Sequence, residues 1–452
     1  MDRTASGDQL TFARLPEADR RAFLRATGSA FAALVASNCM ARPAMAAALK
    51  LAEGYGPMVP DAAGILDLPA GFSYRIVSRL GDGMSDGGSV PDHGDGMGCF
   101  ALPGGKIALV RNHELMPDAD SGGEIALGYD RQDGTGPVLP GGTTTIVLDA
   151  ATLEVESQFR SLGGTIRNCA GGTTPWGSWL TCEEFVAKAG GRLGQDHGYV
   201  FEVPAAATGP VHPVPLKAMG RFNHEAACVD PATGMVYLTE DRGDGLLYRF
   251  IPKVPGQLAE GGRLQALALE GGLTDSRNHD SAAMQVGDWH SVHWVDIDVP
   301  DSPQDDLRLQ GAAKGAVLFA RGEGIHMGEG ELYFCCTSGG ALQRGQIFRL
   351  KPQASGDRLQ LFFETASLDQ FNYGDNLTVA PNGHLVVCED QYSEVVDNHL
   401  RGITPAGESY TLGRLRMQTE LAGACFSPDG KTLFVNAFSP TTTFAITGPW
   451  MA

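Results

Sequence analysis

The sequence predicts an all-β fold, and in particular a six-bladed β-propeller. Glycine accounts for 60 of 452 residues, roughly twice its usual share, yet there is no collagen-like period and no low-complexity run. One strand pattern occurs six times: a turn glycine, apolar or β-branched residues, and then a polar or acidic end. The later repeats have the length of a four-stranded blade, roughly 40–50 residues. Together these features favour a closed ring of similar small sheets.

The six copies begin at glycines that are 72, 57, 96, 53 and 47 residues apart. The longer intervals leave room for loops, and apolar strands that end in proline lie between several copies. A β-sandwich is the alternative for repeated short strands, but it explains the recurring acidic ending less well. The copies cover residues 105–114, 177–184, 234–241, 330–337, 383–390 and 430–436.

The first 46 residues differ in character from the rest. They carry a net charge of +2, and they contain an arginine pair, an alanine-rich apolar run and a small-residue cleavage pattern at 44–46. This resembles a twin-arginine export signal, for which the alternative is an amphipathic helix with a chance arginine pair. The pair is Arg20-Arg21, within the stretch 19–25. We therefore expect residues 1–46 to be removed and residues 47–452 to form the catalytic β-propeller domain.

That interpretation also predicts where the protein works. Export through the twin-arginine translocation machinery would make it periplasmic or secreted. No other segment approaches 18 uninterrupted apolar residues, so no membrane span is expected. The formal net charge of the whole chain is −19, which argues against binding nucleic acid and suits a chain that collects cations. We expect a monomer, because a closed ring can act alone.

The acidic strand endings carry the chemical argument. Equivalent strands of a propeller run in one direction, so their ends meet at one face of the ring, where crowded carboxylates need a counter-charge such as a hard divalent cation. Neighbouring residues of a strand point to opposite sides, so one member of each adjacent pair is structural unless the strand ends there. A solvated rim is the simpler alternative for any single pair. The pairs are Glu183-Glu184, Glu240-Asp241 and Glu389-Asp390.

Several other polar residues are expected at the same face. Arg321, two residues from Glu323, is a candidate phosphate clamp, because guanidinium binds oxyanions in a bidentate manner; its alternative is a counter-ion for nearby acids. For His113 and His224, two interpretations stay open: each is either a structural histidine or a metal ligand. The other acidic residues expected at this face are Glu114, Glu225, Asp375 and Glu420.

Cys169 lies just before a Gly-Gly turn, outside any apolar alternation. A thiolate there would favour iron or zinc over calcium, and a plain buried thiol is the alternative. The other seven cysteines after residue 46 form no CxxC pair, and most are read as small buried apolar side chains.

Several sequence motifs closely resemble those of the PhoX-type alkaline phosphatases. They occur in the same order, from about residue 54 to the C-terminus. Arg-Asn-Cys-Ala-Gly-Gly-Thr-Thr-Pro-Trp-Gly (167–177) is the most specific of them. The others are Thr-Cys-Glu-Glu (181–184), Tyr-Leu-Thr-Glu-Asp-Arg (237–242), Leu-Val-Val-Cys-Glu-Asp (385–390), Gly-Ala-Cys-Phe-Ser-Pro-Asp-Gly-Lys-Thr-Leu-Phe-Val-Asn (423–436) and Ile-Thr-Gly-Pro-Trp (446–450).

The resemblance implies a mixed cluster of Fe3+ and Ca2+ at one end of the propeller channel, and hydrolysis of small-molecule phosphate esters. It implies that Cys169 is the thiolate on iron, that Glu225 and Glu323 are carboxylates of the iron cluster, and that Arg321 grips the phosphate. Catalysis would then involve Arg321, Cys169 and Glu323. The calcium ions would be held by Glu183, Glu184, Asp241, Glu389, Asp390, Glu114 and Glu420.

The expected reaction is in-line attack on the clamped phosphate by a metal-bound oxide or hydroxide, without a separate Ser or Thr nucleophile. Two alternatives stay open at this point. One is a lactonase of the gluconolactonase type, with a single divalent ion and no role for Cys169. The other is a non-catalytic binding propeller stabilised by calcium.

Overall fold

The computed structural model describes residues 51–390 and 396–451. The predicted export signal, residues 1–46, lies outside the described residues. The helical elements in the described part are short: two 3-10 turns, Lys217–Met219 and Leu258–Glu260, and a six-residue helix α1, Leu307–Ala312. Among the described residues, no helix combines the length and apolarity needed to cross a membrane.

Strands make up nearly all of the regular structure, and most of them form antiparallel series, which we name A to F in chain order. Three strands come first: β1 (Met58–Val59), β2 (Leu66–Pro69) and β3 (Ser73–Arg79). Series A is β4 (Gly94–Leu102), β5 (Lys106–His113), β6 (Gly141–Asp149) and β7 (Val155–Thr165). Series B is β8 (Asn168–Thr173), β9 (Ser178–Glu183) and β10 (Val200–Pro204). Series C is β11 (His224–Val229), β12 (Val236–Glu240), β13 (Leu247–Pro252), β14 (Gly262–Leu269) and β15 (Trp289–Asp296).

The remaining series follow the same plan. Series D is β16 (Gly322–Met327), β17 (Leu332–Cys336), β18 (Gln346–Lys351) and β19 (Arg358–Glu364). Series E is β20 (Gly374–Val379), β21 (Leu385–Glu389), β22 (Asn398–Ile403) and β23 (Ser409–Leu415). Series F is β24 (Leu421–Phe426), β25 (Thr432–Ala437) and β26 (Thr442–Thr447). β15 pairs with β19 and joins series C and D into one nine-stranded sheet, while β2 and then β1 extend series E.

The first strand of each series lies innermost, and these strands form a closed circuit. β4 contacts β8, and contacts continue through β11, β16, β20 and β24 back to β4. Glycine allows this close approach: a Cβ on Gly96 would lie 2.5 Å from the Cα of Ala170, and a Cβ on Gly324 would lie 2.7 Å from the Cα of Asn376. The all-β, propeller-like arrangement expected from the sequence is therefore confirmed.

An early strand closes the circuit. β3 pairs with β26 and completes series F, with Tyr74 opposite Ile446 and Ile76 opposite Phe444. The buried guanidinium of Arg111, on β5, donates to the Ser78 hydroxyl on β3 and to the Thr443 hydroxyl on β26, at 3.1 and 2.6 Å. β3 lies near the start of the described residues and β26 near their end, so this pairing joins distant parts of the chain and holds the ring shut.

We expect Phe444→Ala to weaken this closure. The Phe444 side chain is fully buried and packs edge-to-face against Tyr74 at 5.5 Å, so its loss leaves a cavity between β26 and β3. The free energy of unfolding in urea should fall by about 3–5 kcal/mol. Val155→Ala, at a side chain that is 42% exposed, is the control and should change it by less than about 0.5 kcal/mol. Equal stability of the two variants would contradict this account of ring closure.

Candidate metal centre

One end of the inner-strand ring holds a cavity of about 270 Å3 with a strongly acidic lining. Among the described residues, nine carboxyl groups face it together with one thiol and only two guanidiniums. The guanidiniums belong to Arg167 and Arg321, and the thiol to Cys169. The carboxyl groups belong to Asp95, Glu114, Glu184, Glu225, Asp241, Glu323, Asp375, Asp390 and Glu420.

Five of the inner strands place a ligand-type side chain at their second residue. In each case this residue lies within a register shift, where the inner strand carries one residue more than its partner. Such a β-bulge re-aims a side chain, and here it turns five side chains toward the axis of the ring. The residues are Asp95 on β4, Cys169 on β8, Glu225 on β11, Glu323 on β16 and Asp375 on β20.

The inner strand of series F departs from this rule. Its register shift contains Gly423 at φ 65°, and a Cβ there would lie 2.3 Å from the backbone oxygen of Asp95. A side chain at this point would therefore collide with β4. The carboxylate of this sector comes instead from Glu420, immediately before β24.

The second strands contribute the outer acids. The residue that follows the second strand donates its backbone N–H to the carbonyl of the residue that precedes the inner strand, for example Glu184 to Arg167 at 2.9 Å. The same bond occurs in each of series A to F, so these residues lie at one level. Four of these six residues are acids, and the other two are a threonine and a phenylalanine. The six residues are Glu114, Glu184, Asp241, Thr337, Asp390 and Phe438.

The adjacent acidic pairs divide into one structural and one cavity-facing member, as the alternation of strand side chains requires. Glu183 is fully buried and accepts hydrogen bonds from the backbone N–H groups of Ile166 and Gly198, while His197 lies 2.6 Å from it. Its neighbour Glu184 faces the cavity. Glu183 therefore satisfies backbone groups within series B and does not line the cavity.

The other two pairs repeat this division. The carboxylate of Glu240 accepts the Tyr248 hydroxyl at 2.8 Å, whereas Asp241 lines the cavity. The carboxylate of Glu389 accepts Nε of Arg401 at 2.7 Å and lies 2.9 Å from His399. Asp390 next to it lines the cavity. Of the predicted site acids, Glu183 and Glu389 are thus the two that the structure does not bring to this cavity.

Burial and mutual repulsion dominate the electrostatics. Burial raises the pKa of Asp95, Glu225 and Asp375 well above its usual range, and neighbouring carboxylates raise it further. The same causes raise the pKa of Glu323 and that of the Cys169 thiol. A charged set of this kind is costly without compensating cations.

The two arginines compensate only part of this charge. Nε of Arg167 lies 2.6 Å from Glu114, and its Nη1 lies 3.0 Å from Glu184. Arg321 bonds Asp241 at 2.7 Å and lies 3.0 Å from Glu323. If each arginine neutralises one carboxylate, seven of the nine carboxyl groups and the thiol still lack a compensating positive charge.

All the acidic and thiol side chains that line the cavity, except Asp241, fall into four overlapping groups, and within each group the ligand atoms lie within 4.8 Å of one another. Three carboxylate oxygens among them, on Glu225, Asp375 and Asp390, are buried without a hydrogen-bond partner among the described residues. Buried, unpartnered oxygens in an acidic ring are the donors that hard cations prefer. The groups are Asp95–Glu114–Cys169, Cys169–Glu184–Glu225, Glu225–Glu323–Asp375 and Asp375–Asp390–Glu420.

Two members of these groups were not among the site residues predicted from the sequence. Asp95 precedes the first copy of the repeat, in a glycine-rich segment, and Asp375 is expected at this face from the sequence but is not assigned there to a metal ion. The signal that finds them is positional: each lies at the second residue of an inner strand, in line with Cys169, Glu225 and Glu323. That alignment requires the strand register, which the repeated strand endings alone do not give.

His113, His224 and most cysteines do not line the cavity. The ring nitrogens of His113 lie 2.9 Å from the Asp92 carbonyl and from the Thr144 hydroxyl, and His224 lies 3.0 Å from the Gly220 carbonyl. Neither histidine lines the cavity. The eight cysteines in the described ranges are free thiols, and of these Cys169 alone faces the cavity.

Comparison with known proteins points to one family. The family model described as alkaline phosphatase PhoX matches residues 53–158 and 148–441. A solved structure of Pseudomonas fluorescens PhoX, in complex with vanadate as a transition state analogue, superposes with a TM-score of 0.67 and 18% identity, over 86% of this chain and 97% of that one. A gluconolactonase from Xanthomonas campestris covers 90% of this chain and 99% of its own, with 15% identity and a TM-score of only 0.38. No curated protein matches the chain by sequence.

The division of the acidic pairs predicts opposite phenotypes for neighbouring residues. We expect Glu184→Gln to lower the metal content of the purified protein with little change in fold. Glu183→Gln should lower the free energy of unfolding of chelator-treated protein by about 3 kcal/mol, because it disrupts a buried, paired carboxylate. Elemental analysis and thermal unfolding measure the two effects. Metal loss in Glu183→Gln at unchanged stability would contradict the assignment.

Proposed function

This chain belongs to the PhoX alkaline phosphatase family and is by that membership a phosphatase; on this premise we propose that metal ions held in the acidic cavity carry out the hydrolysis of phosphate esters. The observation that supports the proposal is the cavity itself, where the described part of the chain places nine carboxyl groups, a thiol and two guanidiniums around one axis. Family membership favours this reading over the lactonase and binding-propeller alternatives. We further propose that series A to F are the six blades, with the metal centre at one end of their channel.

The chemistry of the donors suggests which ions fit. The Cys169 thiol lies in groups with the carboxylates of Asp95 and Glu225, and such a mixed set of sulfur and oxygen donors suits Fe3+. The group Asp375–Asp390–Glu420 offers oxygen alone and suits Ca2+. Bound cations would neutralise phosphate oxygens and make the phosphorus more susceptible to attack.

The proposed ligand set follows the cavity lining. We assign Cys169, Glu225 and Glu323 to the iron site, with Asp95 as an additional ligand. Glu183 and Glu389 are not assigned as metal ligands, because their carboxylates make structural hydrogen bonds. Asp375 is an additional oxygen donor. The oxygen ligands for calcium are then Glu114, Glu184, Asp241, Asp375, Asp390 and Glu420.

Arg321 is the residue of this chain that we assign to the phosphate. Its side chain is 40% exposed at the cavity, and Asp241 and Glu323 hold its Nε and Nη2. Its Nη1 has no partner in the part of the chain that the structure describes, so it can donate to a phosphate oxygen. The neighbouring carboxylates raise the pKa of Arg321, with Glu323 the largest cause, and so keep it charged at alkaline pH. Bonds to two acids also fix the guanidinium before substrate arrives, which reduces the entropy lost on binding.

We also propose that the protein acts outside the cytoplasm as a monomer. The sequence signal at residues 1–46 supports export by the twin-arginine machinery, which delivers proteins already folded and so loaded with their metals. Residues 47–452 would then be the mature catalytic domain.

Replacement of the thiol tests the metal assignment. We expect Cys169→Ser to lower hydrolysis of p-nitrophenyl phosphate at alkaline pH by at least about a hundredfold, with loss of bound iron and of its visible absorption. Prolonged chelation of the wild-type protein should have the same effect. Cys99→Ala, at a cysteine outside the cavity, is the control. Wild-type activity and iron content in Cys169→Ser would exclude the proposed site.

Replacement of the arginine pair tests the location. We expect an Arg20→Lys, Arg21→Lys double variant to accumulate uncleaved in the cytoplasm, because the twin-arginine pathway selects for that pair. Cell fractionation followed by mass measurement of the N-terminus reads out both transport and cleavage. Arg14→Lys is the matched control. Export of the double variant at the wild-type level would contradict the signal assignment.

A further inference from the structure

The wall of the cavity is aromatic in the sector where series F meets series A. At the residue after the second strand, four series present a carboxylate, whereas series F presents Phe438. The ring of His93, the residue before β4, stacks on Phe438 with centroids 4.7 Å apart and planes within 6°. Met116, which is 40% exposed, also lines the cavity. Arg167 lies next to series B and Arg321 next to series D. The sector between series F and A is therefore aromatic, whereas the rest of the wall is largely charged.

The stack is held rigidly in place. Gly94 donates its N–H to the Phe438 carbonyl at 3.1 Å and to the Thr441 hydroxyl at 2.7 Å. Asp92 accepts from the Ser439 hydroxyl and from the Thr441 N–H, both at 2.8 Å. These bonds tie the segment after β25 to the turn before β4. His93 itself adopts φ 55°, an unfavourable conformation for a non-glycine residue, and this network maintains it.

The position of the stack relates it to the substrate. Around the ring of inner strands, β24 lies three places from β11, and β4 lies three places from β16. Arg321 immediately precedes β16, and Asp241 donates its N–H to the carbonyl of the residue before β11. A phosphate held at Arg321 would therefore have the aromatic sector across the cavity. A half-buried ring pair exposes an apolar edge or face that binds a planar group better than a flexible, hydrated one.

We propose that Phe438, stacked on His93, binds the leaving group of the substrate and gives the enzyme a preference for phosphate esters with a planar ring. This inference rests on the proposed function of the cavity and goes beyond it by naming the class of ester. The shared chemistry is a flat aromatic surface, which an aryl ester or the base of a nucleotide can supply. In this assignment Phe438 positions the ester and does not take part in the chemical step.

The first test measures binding without turnover. Phenylphosphonate and methylphosphonate carry similar headgroups, cannot be hydrolysed at phosphorus, and differ in the planar ring. With the metal-loaded protein, calorimetry should show that Phe438→Leu reduces the preference for phenylphosphonate by about two- to tenfold, whereas Phe438→Trp retains it. Phe72→Leu is the matched control, because Phe72 packs on Trp450 at 4.8 Å and does not line the cavity.

The second test identifies the source of the planar group. We expect Phe438→Leu to lower kcat/KM for a planar ester, mainly through KM, by more than it lowers that for glycerol phosphate. A selective loss on phenyl phosphate supports an aryl ester, and a selective loss on adenosine monophosphate supports a nucleotide. Metal content equal to wild type shows that the variant is folded and loaded.

The outcomes separate the two proposals. Equal losses on all three esters, or an unchanged phosphonate preference in Phe438→Leu, would overturn the role of Phe438 and leave the phosphatase assignment standing. Failure of the wild-type protein to bind either phosphonate and to hydrolyse any of the esters would overturn both.

Discussion

The crowding of carboxylates around one axis is the constraint on which the rest of this structure depends. Among the described residues, nine carboxyl groups and a thiol face a cavity of about 270 Å3, and two guanidiniums cannot neutralise them. Their repulsion would push the strand ends apart if the sheet were open. A closed circuit of inner strands, joined by the pairing of β3 with β26, prevents that separation. Bound cations would relieve this electrostatic repulsion, and metal binding would thereby stabilise the closed ring.

The backbone achieves this crowding through a local device that recurs in series A to E, whereas series F has Gly423 at its bulge. A bulge near the start of an inner strand turns one side chain inward, and a hydrogen bond between neighbouring strand ends sets the depth of the outer acid. The adjacent acid, on the opposite side of the strand, stabilises the series instead. Glu183 and Glu184 show the consequence: two identical side chains, one residue apart, serve stability and the cavity respectively.

Differences among the repeats give the site its direction. A ring with the same acid in every series would bind cations without a preferred orientation for an ester. Arg167 and Arg321 place positive charge before β8 and β16, whereas Gly423 leaves an inner position without a side chain. Phe438 replaces an acid where the last series meets the first. An oriented substrate needs such asymmetry, because its phosphate and its leaving group require different surroundings.

The sequence by itself determined the strand-rich class, the periodic repeats and the acidic character of one end of the strands. It also singled out Cys169, because a cysteine before a Gly-Gly turn stands outside any apolar strand pattern. Only the tertiary structure decided which acids meet. Asp95 and Asp375 line the cavity because β-bulges turn their side chains toward it. Glu183 and Glu389 do not line it, because their side chains lie on the other side of their strands. The physical reason is that periodicity along a chain reports local conformation, whereas convergence of side chains depends on register and ring closure between strands far apart in sequence.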